Sequence, residues 1–145
     1  MTDVLRPQEP GIPVPTPSWR LEPYWEACRR GELVHFRCPD CGHGEARPFT
    51  VCSRCEGRRG TWTAGTGRGE LYSWTVVWRP QHPRFSVPYA PAVVAMDDGY
   101  HMVSAVIGCR PEDLHAGLRL EVEFHPASDA ITLPYFRPQS GPSSS

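Results

Sequence analysis

The chain has 145 residues and a net charge of −1, a length that fits one ordinary domain or two small ones. All fifteen basic residues are arginine. The absence of lysine excludes a lysine Schiff base or lysine general base and leaves phosphate binding to arginine and backbone N–H groups. No apolar run approaches the ~20 residues of a membrane span, and the N-terminus shows Asp3 and prolines rather than a hydrophobic signal, so the expectation is a cytoplasmic protein.

Residues 1–17 hold five prolines among small and polar residues, which predicts an extended proline-rich arm, disordered or lying along a partner, rather than a packed element. A helix plus metal ribbon is expected over 18–66. Leu21 to Gly31 reads as a short helix with Pro23 near its start, Arg29 and Arg30 in its last turn and Gly31 as C-cap. Tyr24, Trp25 and Cys28 share one face, so Cys28 is expected to pack there rather than bind metal. The helix is too short to stand alone and needs a docking surface.

Leu33 to Arg37 is a predicted strand leading into Cys38-Pro39-Asp40-Cys41-Gly42, and Arg47 to Val51 is a predicted strand leading into Cys52-Ser53-Arg54-Cys55. Two Cys-x-x-Cys pairs separated by ten residues supply four soft ligands that can converge on one tetrahedral ion. Zinc held by Cys38, Cys41, Cys52 and Cys55 is the expected occupant, one ion in a closed structural site. Rubredoxin-like iron uses the same ligand set and stays open. Two disulfides need an oxidising compartment, and a redox pair lacks thioredoxin-like surroundings. His43 is a further candidate ligand, more simply read as an exposed loop residue. Glu56 to Gly67, with four glycines, is read as a connector.

From residue 67 to 138 the pattern is all-β. Predicted strands run over Leu71–Trp78, Ala92–Met96, Tyr100–Ile107, Leu118–His125 and Ile131–Phe136. Asp97-Asp98-Gly99 is a hairpin turn, and Pro111-Glu112-Asp113-Leu114 makes one helical turn. Five strands with a helical turn between the third and fourth suggest an OB-fold barrel. The fold expected is mainly β: an N-terminal helix and rubredoxin-like zinc ribbon, then a five-stranded OB-fold. Residues 139–145 are Ser/Gly/Pro-rich and read as a disordered tail.

The residues offer no convincing catalytic constellation. With the four ligands set aside, Cys28 and Cys109 remain, and Arg110 beside Cys109 could lower its pKa; an inert thiol near a turn is the simpler reading. The six histidines are scattered. The informative loop runs from Trp78 to Tyr89. Its Trp78, Arg79, His82, Arg84, Phe85 and Tyr89 combine anchor-type aromatics with arginines on a proline-stiffened backbone, suited to a partner or to the phosphates and adenine of coenzyme A. An ordinary long barrel loop is the competing reading.

Several short stretches, in order, carry a family resemblance over roughly residues 20–138. They are Tyr24-Trp25, Gly31-Glu32-Leu33, the two cysteine pairs with Gly42 and Pro48, Gly67-x-Gly69-x-Leu71-Tyr72-Ser73, Pro88-Tyr89, Pro111-Glu112-Asp113-Leu114 with Gly117, and Phe136-Arg137-Pro138. In these the chain resembles the zinc-ribbon/OB-fold proteins, long catalogued as a domain of unknown function, that accompany thiolase-superfamily and lipid-transfer-like enzymes. The proline arm and the lack of lysine depart from that pattern without touching its motifs. The resemblance implies a subunit that is not itself a catalyst. It would complete the acyl-CoA site of a partner that performs thiolysis, acyl transfer or retro-aldol cleavage, including steroid side chains in lipid metabolism. The rival is a nucleic-acid binder with Tyr72, Trp74 and Trp78 as stacking platforms. Charge divides the two readings. Residues 29–68 hold eight arginines against four acids, but from Gly69 onward five arginines face eight acids. Phosphate-backbone binding needs concentrated positive charge.

Overall fold

The computed structural model describes residues 4–140. The first three residues of the arm and residues 141–145 of the tail lie outside the described residues. Helix α1 spans Glu22–Arg29, with Pro23 in its first turn. Its end is fixed by Gly31 at φ +78°, where the Gly31 N–H donates to the Cys28 carbonyl and the Glu32 N–H to the Ala27 carbonyl. This pair of bonds satisfies carbonyls that the last turn would leave open. Ala27 and Cys28 are buried, and the helix packs on both the ribbon and the barrel.

The ribbon is a three-stranded antiparallel sheet of β1 (Val34–Arg37), β2 (Gly44–Glu45) and β3 (Thr61–Ala64), in the order β2-β1-β3. Two expectations are corrected here. Residues 47–51 are irregular, because Pro48 has no N–H to give a ladder; the strand pairing with β1 ends at Glu45. The glycine-rich connector contains β3, whose glycines flank the strand rather than interrupt it. Trp62 on β3 packs edge-on against Phe36, with ring centroids 5.2 Å apart.

The second unit is a closed barrel. Its strands are β4 (Arg68–Trp74), β5 (Ala90–Met96), β6 (His101–Val106), β7 (Arg119–Pro126) and β8 (Thr132–Pro138), in the order β4-β5-β6-β8-β7 with β4 paired to β7. The single parallel contact, β6 with β8, and the short 3-10 turn Pro111–Asp113 between β6 and β7 complete the expected OB topology. Leu71, Val94, Val106, Leu120 and Phe136 are almost fully buried inside. Each such side chain contributes about 1.5–3 kcal/mol of burial. Gly69 on β4 is required by close approach, since a Cβ there would lie 2.5 Å from the Ala95 carbonyl oxygen.

Strand β4 starts earlier and stops earlier than its β-branched pattern predicts. A register shift between Leu71 and Ser73 twists it, and beyond Trp74 the pairing thins to the Thr75 N–H on the Pro91 carbonyl and a bridge from Val77 to Tyr89. The arm differs more. It is extended, as its prolines dictate, but it is packed. Leu5 is only 1% exposed and joins the barrel core. Its N–H donates to the Cys109 carbonyl (2.8 Å), and its carbonyl accepts from the Gly108 N–H (2.9 Å). Ile12 is also buried. Two apolar side chains among the prolines suffice to dock a segment that composition alone marks as solvated.

A four-cysteine centre and its joint to the barrel

The two cysteine knuckles repeat one hydrogen-bond pattern. Cys38 N–H donates to the His43 carbonyl and Gly42 N–H to the Cys38 carbonyl; Cys52 N–H donates to the Gly57 carbonyl and Glu56 N–H to the Cys52 carbonyl. The position after each pair sits at positive φ, Gly42 at +80° and Glu56 at +64°. Glycine adopts this freely and glutamate only under strain. In the second knuckle, the Arg54 N–H faces the Cys52 sulfur and the Gly57 N–H faces the Cys55 sulfur, both at 3.4 Å.

The four Sγ atoms lie within 4.8 Å of one another, with Cys38–Cys55 at 3.6 Å and Cys41–Cys52 at 3.7 Å. A tetrahedron with Zn–S bonds of ~2.3 Å has edges of ~3.8 Å. The four sulfurs therefore fit a tetrahedral metal such as zinc, and four protein ligands leave no open coordination position. Such an ion supplies folding free energy rather than a reactive water. His43 is not part of the cluster; its Nε2 lies 2.9 Å from Glu45 Oε2 and 3.3 Å from Ser53 Oγ.

The centre is coupled to the barrel through residues outside the cysteine motif. His35 on β1 is 1% exposed and stacks on Tyr100 at 4.8 Å. Arg37, two residues on along the same face, donates from Nε to His35 Nε2 (3.0 Å). It also donates to the Gly42 carbonyl in the first knuckle and, at 2.8 Å, to the Asp98 carbonyl in the β5–β6 turn. Burial, and next the neighbouring guanidinium, push the His35 pKa down, so the ring is held neutral. The available signal was alternation: His35 and Arg37 are i, i+2 on a strand and must share a face.

The remaining candidates separate clearly. Cys28 is buried and burial pushes its thiol up to about 11. For Cys109 the inert-thiol reading holds over activation by Arg110: burial, then the Asp113 carboxylate, raise its pKa, whereas Arg110 turns to Glu112. In the β4–β5 loop, His82, Phe85 and Tyr89 form an aromatic row with centroids 5.8 and 5.7 Å apart. Trp78 is 57% exposed, and Arg79 is exposed. Arg84 Nη1 donates to the Gly11 carbonyl (2.9 Å). Gln8 grips Ser86 with both halves of its amide: Nε2 donates to the Ser86 carbonyl (3.0 Å), and Oε1 accepts from the Ser86 N–H (2.7 Å). The arm thus fastens the loop. Tyr72 and Trp74 face outward on the barrel, Tyr72 beside the His101 ring at 4.7 Å.

Residues 62–125 match the family described as ChsH2, C-terminal OB-fold domain. The chain is 31% identical over 133 residues to the probable enoyl-CoA hydratase alpha subunit of Thermomonospora curvata; the match takes in 90% of this chain but 42% of that protein's length. It is 28% identical over 96 residues to a DUF35 domain-containing scaffold protein of Methanocaldococcus jannaschii, covering 63% of this chain and 67% of the relative. Among solved structures, one described as Ltp2-ChsH2(DUF35) aldolase superposes with a TM-score of 0.78 at 29% identity, covering 86% of this chain and 98% of that one. A DUF35 protein of Sulfolobus solfataricus shares the fold at 10% identity and a TM-score of 0.56, over 81% of this chain and 84% of that one. Two-domain fold, cysteine cluster and relatives agree: the chain is similar to the DUF35 proteins in both sequence and fold.

Proposed function

We propose that the protein is a non-catalytic accessory subunit of a thiolase-superfamily, lipid-transfer-like enzyme. In this reading it carries one structural zinc on Cys38, Cys41, Cys52 and Cys55 and helps hold an acyl-CoA for carbon–carbon bond cleavage or formation. The observation that carries the reading is the likeness, over 98% of its length, to the chain described as Ltp2-ChsH2(DUF35) aldolase. The chemistry of the chain is consistent with it. The two thiols outside the cysteine centre are both held protonated by burial, so neither is an activated nucleophile. The partner would supply the reacting groups.

The partner's seat is read as the outward aromatic face of Tyr72, Trp74 and Trp78 together with the β4–β5 loop. Tyr72 is 60% exposed and Val103 76% exposed, an apolar display that an isolated small domain normally covers. The loop is already held by the arm, so docking costs little ordering entropy. The decisive experiment is co-purification of the tagged full chain from its native cell at moderate salt. Recovery of a thiolase-like protein in fixed stoichiometry, reduced by Trp78→Ala without a change in melting temperature, supports the reading. Recovery instead of nucleic acid that is shed as salt rises overturns it, and makes the same aromatics stacking platforms.

A further inference from the structure

Strand β6 is paired in full along one edge only. The Met96 N–H donates to the Tyr100 carbonyl (2.8 Å), which fixes the alternation of the β5–β6 ladder. Met102, Ser104 and Val106 therefore bond to β5. His101, Val103 and Ala105, opposite Ala95, Val93 and Pro91, turn their own N–H and carbonyl groups to the far edge. On that side β8 meets β6 only at Val106 and Phe136, where the Ile107 N–H donates to the Phe136 carbonyl (2.8 Å). Parallel pairing would next need a donor two residues back along β8. Pro134 stands there, with no N–H for the Val103 carbonyl, and its own carbonyl accepts from the Ser104 hydroxyl (2.8 Å). A slit of about 260 Å³ separates the two strands. Among the described residues, nothing hydrogen-bonds the outward backbone of His101 or Val103, and Val103 is 76% exposed.

An edge of this kind is a template for another strand, and proteins usually blunt it with a charge, a proline or a bulge. His101 to Ala105 carries no proline, arginine or acid, and its register with β5 is unbroken. The edge forms one wall of a groove of about 1160 Å³, whose other walls are helix α1 and the ribbon. That concavity suits a single chain rather than a second barrel. Arg20 and Arg47 on its ribbon side are exposed and meet no carboxylate among the described residues. Trp25 Nε1, common to groove and slit, is a buried donor with no partner. We infer that β6 takes up an extended, carboxylate-bearing peptide segment of a partner protein as an added strand. The outward N–H and carbonyl groups of His101 and Val103 form its ladder, an apolar side chain of the segment covers Val103, and its carboxylate lies toward Arg20 and Arg47. The edge stands on its own geometry; only the origin of the segment in the catalytic partner rests on the accessory-subunit reading.

The test is amide hydrogen exchange of the metal-loaded full chain, read by NMR during titration with the peptide acetyl-TVTVDE-amide. Main-chain bonds supply most of the affinity in such pairing, so a generic strand former is a fair probe. At about 1 mM peptide the His101 and Val103 amides are expected to gain at least tenfold protection, and the fully N-methylated peptide should give none. Val103→Pro removes an N–H that takes no part in the β5 ladder; it should keep the fold and weaken binding at least tenfold, with Val103→Ala weakening it less. Should Val103→Pro not fold, the N-methylated control decides alone. Unchanged exchange at His101 and Val103, or equal binding of the N-methylated peptide, overturns the site. So does protection in the peptide-free chain accompanied by a dimer in sedimentation, which gives the edge to a second copy. Co-purification separates this proposal from the subunit reading. A partner recovered by wild type but not by Val103→Pro upholds both. A partner recovered equally by the two leaves the subunit reading standing and overturns the edge as its seat, and no partner with either fails the subunit reading while the peptide titration still decides the edge.

Discussion

Leu5→Ala tests whether the proline arm is part of the folded body. Leu5 is 1% exposed, sits in the same apolar cluster as Leu71, Val106 and Phe136, and is pinned by two backbone hydrogen bonds to Gly108 and Cys109. Truncating a fully buried leucine removes its transfer free energy and leaves a cavity, about 3 kcal/mol at a site of this kind. Tm should then fall by roughly 6–12 °C for a protein of this size. A second effect bounds that loss. The arm lies outside the barrel's strands and can let go without unfolding them, so the cost cannot exceed the whole docking energy of residues 4–12. Hydrogen exchange separates the two cases. Release of the arm exposes the Gly108 amide, which donates to Leu5, and the Ser86 amide, which donates to Gln8, while the β5 and β6 amides stay protected. Urea unfolding at saturating zinc gives the free energy and exchange gives the location. A loss below about 1 kcal/mol, with protection of Gly108 and Ser86 unchanged, would refute the argument that this leucine anchors the arm.

Three further outcomes follow from the ribbon and the barrel rim. Cys55→Ser should abolish stoichiometric zinc binding, read by metal analysis after gel filtration, because a tetrahedral site short of one thiolate loses much of its affinity; a variant retaining one tight zinc per chain contradicts the closed four-cysteine centre. Glu56→Gly should raise the stability of the metal-loaded protein by about 1 kcal/mol in urea melts, since it removes a non-glycine side chain from φ +64°; a loss of stability means that the glutamate side chain makes a compensating contact. Arg119→Gln should alter acid stability in one direction. The Arg119 hydrogen bonds at 3.0 and 2.7 Å hold the Asp97 carboxyl below the usual carboxylate range. A depressed folded pKa contributes stability that is present above the unfolded value near 4 and is lost as pH falls through the folded value. The gap between wild type and variant should therefore be widest near neutrality and close in acid; a gap that widens below pH ~4 refutes the assignment.

What was legible in the sequence was what depends on local rules. The Cys-x-x-Cys spacing located the four-cysteine cluster because a knuckle is a local turn, and period-two alternation located β5 to β8 because each strand buries one face. Gly31 marked the helix end for the same reason. The strands that were missed depend on pairing. β3 is four residues between glycines, and nothing within Thr61–Ala64 announces that β1 will recruit it. Residues 47–51 have strand-like composition, but Pro48 cannot enter a ladder. The packing of Leu5 needs the open end of a barrel that forms a hundred residues downstream. The joint is the extreme case: Arg37 comes from β1 and Asp98 from the β5–β6 turn, 61 residues apart, and no short window of sequence contains both.

The joint explains how ribbon and barrel are held together although they are different folds. Arg37 immediately precedes the ligand Cys38, and its guanidinium reaches the Gly42 carbonyl on one side and the Asp98 carbonyl on the other. His35, on the same strand face, lies flat on Tyr100 at the start of β6. A metal closing the first knuckle would therefore also steady the residue that ties the ribbon to the β5–β6 turn. Held by four thiolates, such an ion would reinforce the ribbon's small aromatic cluster of Phe36, Phe49 and Trp62 and stiffen the strand that carries both His35 and Arg37.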